Sequence, residues 1–562
     1  MADPKRSDLA RQFDLAVSAA RDGWRVLRHR GPSQIQFWFI ALGVGIAAGF
    51  AALFFRKGIE ALQAALYHTD NTNLLHSHAG TMPWLMLVLI PVCGGLTVGI
   101  ILHWLTPDGR LRSVADVIEG AALNDGRVET KAGFASALCS LITLSSGGSS
   151  GREGPVVHLA GVMASWVSER LNADGITGRD LLGCAVAAAV SASFNAPIAG
   201  ALFALEVVLR HFAVHAFAPI VIASVAGTVI NRLEFGGLTE FVLQTPGQLQ
   251  FYVELPAFLI LGLISGLIAV VLMRSIFLAE DLGTHIQRRL GIPRWVRPGL
   301  AGLLLGLIAI VFPHIIGVGY ETTLRALKGE IPLTEAIIFT IVKVLAVAIT
   351  LAGHMGGGVF SPSLMIGALA GLAFGLIATG VLPDVSGGPA LYAFAGMGAV
   401  TAAVLGAPIS TTLIVFELTG DWQIGIAVMV SVSMSTALAT RLVDRSYFLT
   451  VLERRGQHLA AGPQAYLLAM FRAGSVMRKP DDPRAANADR CWEMIGEGLY
   501  LDVSTTLEAA MPVFDRAGVT FLPVVSLTGE KSAPELRGAL FHVDALKAYN
   551  RALAATAAEE HS

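Results

Sequence analysis

Glu153 lies in a charged run, Gly151-Arg-Glu-Gly-Pro155, set between the apolar stretches 132–144 and 156–167. A carboxylate at membrane depth costs roughly 3 kcal/mol or more unless it faces protein or water, which marks this side chain for chemistry rather than packing. The chemistry on offer is protonation. A charged carboxylate can fill an anion site and compete with a free anion, whereas a neutral one is released from it. Pro155 suits the first turn of a helix, where its missing N–H has no acceptor to lose. The run therefore predicts a helix start inside the membrane with a titratable group at its mouth. The alternative for Glu153 is an ion pair with Arg152 that anchors a re-entrant loop. Neighbouring residues at a helix start point apart, so such a pair is geometrically poor.

A second glycine-rich helix start, Gly356-Gly-Gly-Val-Phe-Ser-Pro362, mirrors the first, Gly147-Gly-Ser-Ser-Gly-Arg-Glu-Gly-Pro155. Downstream of each comes a further matched pair. Asn195-Ala-Pro-Ile-Ala-Gly-Ala-Leu-Phe-Ala-Leu-Glu206 parallels Gly406-Ala-Pro-Ile-Ser-Thr-Thr-Leu-Ile-Val-Phe-Glu417. Two matches in the same order indicate an internal duplication. Two helix starts, one from each half, would aim N–H groups and positive dipole ends at a shared point, which is an anion site by construction. Its backbone donors are expected near Val359 and Phe360. Close helix packing explains Gly356–Gly358 equally well when that run is taken alone.

The elements that must hold these residues are membrane helices. Of 562 residues, 54% are hydrophobic and 15% charged, well short of the quarter charged in an average soluble domain. A net charge of −2 argues against a nucleic-acid partner. No nucleophile–base pair or metal-ligand cluster is visible, so neither an enzyme nor a cofactor or metal is expected. The cysteines (Cys93, Cys139, Cys184, Cys491) show no pairing or ligand pattern, and the first three read as small core residues. Apolar segments recur from 36 to 441, several too short to span a bilayer, as discontinuous helices around a midplane site would be. The expected repeats cover about 36–231 and 253–441 within a membrane domain at 34–456.

Residues 1–33 are polar and basic, with no cleavable leader expected and an amphipathic surface helix expected over 8–28. Positive charge before the first span, and Arg441, Arg445, Arg454 and Arg455 after the last, place both termini in the cytosol. A linker at 457–499 then leads to a small mixed unit at 500–555, with a tail at 556–562. Strands are expected at 501–503, 521–525 and 536–541, and helices at 506–517 and 543–553.

Gly151-Arg-Glu-Gly-Pro155, Gly358-Val-Phe-Ser-Pro362 and the duplicated Ala-Pro-Ile…Glu segment together resemble the CLC chloride channels and chloride/proton antiporters. The resemblance covers about 36–456. It implies an all-α polytopic fold of two inverted repeats with short broken helices, and a homodimer with one pore per subunit in the cell's inner or plasma membrane. It also implies that Glu153 is the external gating glutamate. The chloride site would draw on Ser113, Gly151, Arg152, Gly154, Gly358, Val359, Phe360, and Phe448 or Tyr447.

The departures from the family pattern carry their own expectations. Where the family has Gly-Ser-Gly-Ile-Pro, this chain reads Arg112-Ser-Val-Ala-Asp116; Ser113 alone matches, and Ile118-Glu119-Gly120 supports the register. Ser113 would supply a hydroxyl ligand, and serine at this place favours chloride over nitrate in the family. Ser113-Val-Ala-Asp116 equally fits a capping box. Asp116 would set negative charge near the anion and weaken or alter halide binding. In Ser446-Tyr-Phe-Leu-Thr450, Phe448 falls where the family has its central tyrosine, with Tyr447 one position away. After Glu206 the antiporters usually carry an internal glutamate that accepts the proton; here the residue is Val207, as in many of the channels. Glu206 itself reads as a structural cap or ion-pair partner. A passive chloride-selective channel is thus the first reading, a coupled chloride/proton antiporter the second, and a scaffold or sensor with a degenerate pore the third. The unit at 500–555 resembles a single CBS motif, an α+β module. It keeps Asp544 but has Phe541 at the hydroxyl position of the ligand motif, which favours a structural, dimer-stabilising role over nucleotide binding.

Overall fold

The computed structural model describes residues 33–69, 71–106, 108–212, 214–236, 253–457, 459, 468, 471–526 and 534–560. The amphipathic helix expected over 8–28 lies outside them. The first described helix, Gln34–Tyr67, opens on a capping box in which Ser33 N–H donates to Gln36 Oε1 at 2.9 Å and Gln36 N–H donates to Ser33 Oγ at 3.4 Å. It ends where His68 turns left-handed, at φ 53°. Both ends satisfy groups that a helix terminus leaves without intrahelical partners.

Among the described residues, eight helices are long and apolar enough to cross a membrane. The two halves match element by element. Gln34–Tyr67, Trp84–Leu105, Val114–Leu123 and Thr130–Ser145 correspond in order to Leu255–Leu290, Arg297–Val311, Tyr320–Leu327 and Leu333–Ala352. Glu153–Leu171, Gly175–Phe194, Pro197–Phe203 and Val214–Phe235 correspond to Phe360–Val381, Pro389–Leu405, Pro408–Thr419 and Trp422–Leu442. The apolar-segment reading passed over Tyr320–Leu327, a short amphipathic helix with Glu321 and Arg325 on it. Small residues bring helices together: a Cβ at Gly45 would stand 2.6 Å from the Ala223 Cα, closer than two helices carrying larger side chains can approach. Large apolar side chains such as Phe39, Phe54, Trp104 and Val381 are exposed, as a lipid-facing surface requires. Cys139 and Cys184 are buried, but Cys93 is on this exposed surface, not in the core.

The C-terminal unit is a three-stranded sheet of β1 (Leu501–Asp502), β2 (Phe521–Ser526) and β3 (Glu535–Phe541), in that order. β1 and β2 are parallel, joined by the crossover helix Leu507–Ala517, and β2 and β3 are antiparallel. Two expectations change here. Residues 471–499 are part of this unit rather than a linker: Arg478 and Ala539 exchange backbone hydrogen bonds at 2.9 and 3.0 Å, and Ala473 and Met494 lie in the unit's core. The last helix, His542–Glu560, continues through most of the expected tail. The unit docks under the membrane domain through Glu508 to Arg210 (3.3 Å) and Arg472 to Asp174 (2.6 Å). Partial burial opposes ionisation of Asp174, but hydrogen bonds from Thr177 and Arg472 outweigh it and hold the carboxyl below its ordinary value.

Candidate functional site

The two glycine-rich helix starts meet nose to nose. Gly151 N–H donates to Gly358 O at 2.7 Å and Gly358 N–H to Gly151 O at 2.8 Å, a one-rung antiparallel bridge between the repeats. Glycine is required at this contact. A Cβ at Gly154 would stand 3.2 Å from the Gly358 Cα, and Gly357 holds φ at +120°, a conformation open to few other residues. The packing reading of these glycines and the site reading are thus one arrangement, because close approach is what brings the two helix starts to a common point.

A cavity of about 30 Å³ lies at that point, about twice what one water molecule needs. Ser113, Glu153, Gly154, Gly358, Val359, Phe360, Tyr447 and Phe448 line it, together with Val157, Val190 and Phe203, which the motifs did not single out. Glu153 opens one helix and Phe360 the other, so the first-turn N–H groups at both mouths lack intrahelical acceptors. The Glu153 side chain is 1% exposed, and its Oε1 accepts a hydrogen bond from Ser361 Oγ at 2.5 Å. Phe360 is wedged between Phe194 and Phe203, with ring centroids 4.7 and 5.8 Å away.

Two further cavities flank this one. Arg152, Tyr320 and His314 border one of about 70 Å³. Val207, Glu206 and Arg210 border another of about 220 Å³. Phe448 lines both the central cavity and the Val207 cavity, so this residue stands between them. Tyr447 reaches only the central cavity and stacks on Phe277 at 5.5 Å. A buried carboxylate closes this small, mostly apolar cavity on one side and an aromatic ring on the other, and the first turns of two helices converge on it.

The profile of the voltage gated chloride channel family matches residues 94–440. The chain belongs to the CLC family. A ClcB-like chloride channel protein of Ralstonia nicotianae is 31% identical over 392 residues, 69% of this chain and 90% of that protein. Among solved structures, a slow cyanobacterial Cl-/H+ antiporter is similar with a TM-score of 0.67 at 21% identity, over 75% of this chain and 98% of its own. A eukaryotic CLC transporter is similar at 0.63 and 20%, over 90% and 98%. At these identities the structures establish the fold: an integral membrane protein with the CLC helix arrangement.

Within this CLC fold several expected site residues have other work. Gly151 and Gly358 spend their N–H groups on each other, so they shape the site rather than donate to an anion. Arg152 borders the Tyr320 cavity instead of the central one. Its guanidinium donates to Ser193 O at 3.2 Å and lies over the Tyr320 ring at 4.9 Å, with Nε 3.9 Å from Glu153 Oε1. That separation makes the ion pair with Glu153 a long one. Asp116 does not reach the cavity. It completes the capping box by accepting from Ser113 N–H at 2.7 Å, and Arg455 pairs with it at 3.0 Å, with Arg112 at 3.9 Å. Arg455 offsets its charge, and its Oδ2 also accepts from the cavity-lining Ser113 hydroxyl at 3.4 Å. Ser113 serves twice, capping Ala115 N–H at 3.3 Å and lining the cavity.

The duplicated glutamates explain their own spacing. Glu206 Oε1 accepts from Ile409 N–H at 2.9 Å, and Oε2 accepts from Ser410 N–H at 2.8 Å and Ser410 Oγ at 2.7 Å. Reciprocally, Glu417 accepts from Ile198 N–H at 3.0 Å and Ala199 N–H at 2.8 Å. Each repeat's glutamate caps the Ala-Pro-Ile helix of the other, supplying a carboxylate to the positive end of a helix dipole.

Proposed function

We propose that this CLC protein conducts chloride passively through the central site, with Glu153 as its protonatable gate. The observation that carries this reading is on the inner side. Of the described residues lining the inner cavity, Glu206 alone bears a carboxylate, and both of its oxygens are committed to the other repeat's helix. Val207 beside it cannot accept a proton. The anion would rest on the first-turn N–H groups at Val359 and Phe360 and near Gly154, with the Ser113 hydroxyl and the Phe448 ring edge completing its surroundings. When charged, Glu153 occupies the same dipole ends; when protonated it leaves them to the anion.

Coupled exchange of chloride for protons is the alternative, because a carboxylate that leaves the site on protonation also carries a proton across the outer half. A second copy of the chain is the proposed partner, and Ile198 and Ile409, 56% and 47% exposed on adjoining helices, support an apolar contact beside the reciprocal caps. For the cytosolic unit we propose a structural role, with both termini inside. The Arg478 guanidinium pairs with Asp544 at 2.6 Å and covers the Phe541 ring at 3.9 Å, so the chain's own arginine sits where a ligand would engage Asp544.

The test is a reversal potential in planar bilayers. Passive conduction places it at the chloride Nernst potential whatever the pH difference across the membrane. A reversal potential that moves with the pH gradient at fixed chloride would favour exchange.

A further inference from the structure

The contact between Glu153 and Ser361 joins the two repeats at the gate. Ser361 lies in the first turn of the Phe360–Val381 helix, is 4% exposed, and donates its hydroxyl to Glu153 Oε1 at 2.5 Å. Among the described residues, the cavity lining and ion pairs set few charged or titratable groups against Glu153. Arg152 stands 3.9 Å away on the same turn, and Tyr447 lies across the cavity; the other cavity-lining residues are apolar, glycine, or Ser113. Ser361 is therefore a side-chain donor aimed at the carboxylate from the opposing repeat.

We propose that Ser361 is a positioning residue that latches Glu153 in its charged, site-filling state and so sets the pH at which the gate opens; this rests on the gating role of Glu153. A hydroxyl donating to a carboxylate stabilises the charged form, with a bond stronger than one between neutral groups. Protonation of Glu153 forfeits that advantage, so the latch opposes release of the gate. Removing the donor raises the pH at which Glu153 takes up a proton, because only the charged form loses its partner. Methyl substitution on the same carbon, as in threonine, keeps the donor.

The experiment is chloride efflux from proteoliposomes as a function of pH for the parent, Ser361→Ala, Ser361→Thr and Glu153→Gln, each checked for a monodisperse detergent-solubilised peak. Ser361→Ala should move the activation midpoint upward by about one to two pH units, the worth of a hydrogen bond to a charged group. Ser361→Thr should retain the parent midpoint, and Glu153→Gln should show no titration. A Ser361→Ala profile superimposable on the parent, with Glu153→Gln flat, overturns the latch and leaves the gate standing. A Glu153→Gln profile that still titrates like the parent overturns both.

Discussion

Replacing Glu206 by alanine tests how the repeats hold each other. The carboxylate receives three hydrogen bonds, at 2.9, 2.8 and 2.7 Å, two of them from first-turn amides of the Pro408–Thr419 helix. A hydrogen bond to a charged group contributes about 1.5–3 kcal/mol, and loss of an N-cap costs about 1 kcal/mol in water-exposed helices. Ser410 Oγ can turn to another acceptor, so the two amides dominate, and the expected loss is about 3 kcal/mol. Glu417 receives the same pair of first-turn amide bonds and should cost about as much, roughly 3 kcal/mol, when replaced by alanine. Glutamine at either place keeps one acceptor but turns an NH₂ group toward a backbone N–H, so about half the loss should remain. The assay is chemical unfolding in detergent, read by tryptophan fluorescence, alongside proton and chloride flux for Glu206→Gln. If Glu206→Ala unfolds at the parent's denaturant concentration, the reciprocal-cap reasoning is wrong. If instead Glu206→Gln is fully stable yet changes the ratio of proton to chloride movement, Glu206 is a relay and not a cap.

Two further outcomes follow from the site. Asp116→Asn should leave chloride affinity within about twofold of the parent, since Arg455 and Arg112 already offset the Asp116 charge, while stability falls by roughly 1 kcal/mol as the capping box weakens; calorimetry showing a tenfold change in affinity would put Asp116 back at the anion site. Phe448→Tyr adds a hydroxyl to the residue that stands between the central and inner cavities, and a bond from it to the anion should tighten chloride binding about tenfold. Unchanged binding would mean that the para position of the ring edge does not face the ion.

Much of the fold was legible because the chain repeats itself. The paired Ala-Pro-Ile…Glu segments and the paired glycine runs announced two related halves, and both pairs turn out to be contacts between halves. What remained hidden was the partner of each group. The interval from Pro197 to Glu206 matches that from Pro408 to Glu417, but spacing within one segment cannot say that its glutamate caps the other segment's helix. Ser361 stood in the quoted motif without a role, since only the meeting of the two helix starts puts its hydroxyl on Glu153. Asp116 shows the opposite case: proximity in sequence to Ser113 suggests charge near the anion, while its partner Arg455 lies far along the chain, where spacing cannot point to it. Tyr320–Leu327 escaped because a helix of eight residues with charges along it has no membrane-span signature. The C-terminal unit begins before 500, since Arg478, within the stretch read as a linker, pairs in register with Ala539.

Proton flux driven by chloride tests the central claim most directly. Proteoliposomes loaded with high chloride and diluted into low chloride, with the membrane potential clamped by potassium and valinomycin, would be followed with a pH electrode. A passive pathway lacking an inner proton acceptor predicts that chloride runs down while protons move only down their own gradient. Sustained uphill proton movement, abolished by dissipating the chloride gradient, would contradict it.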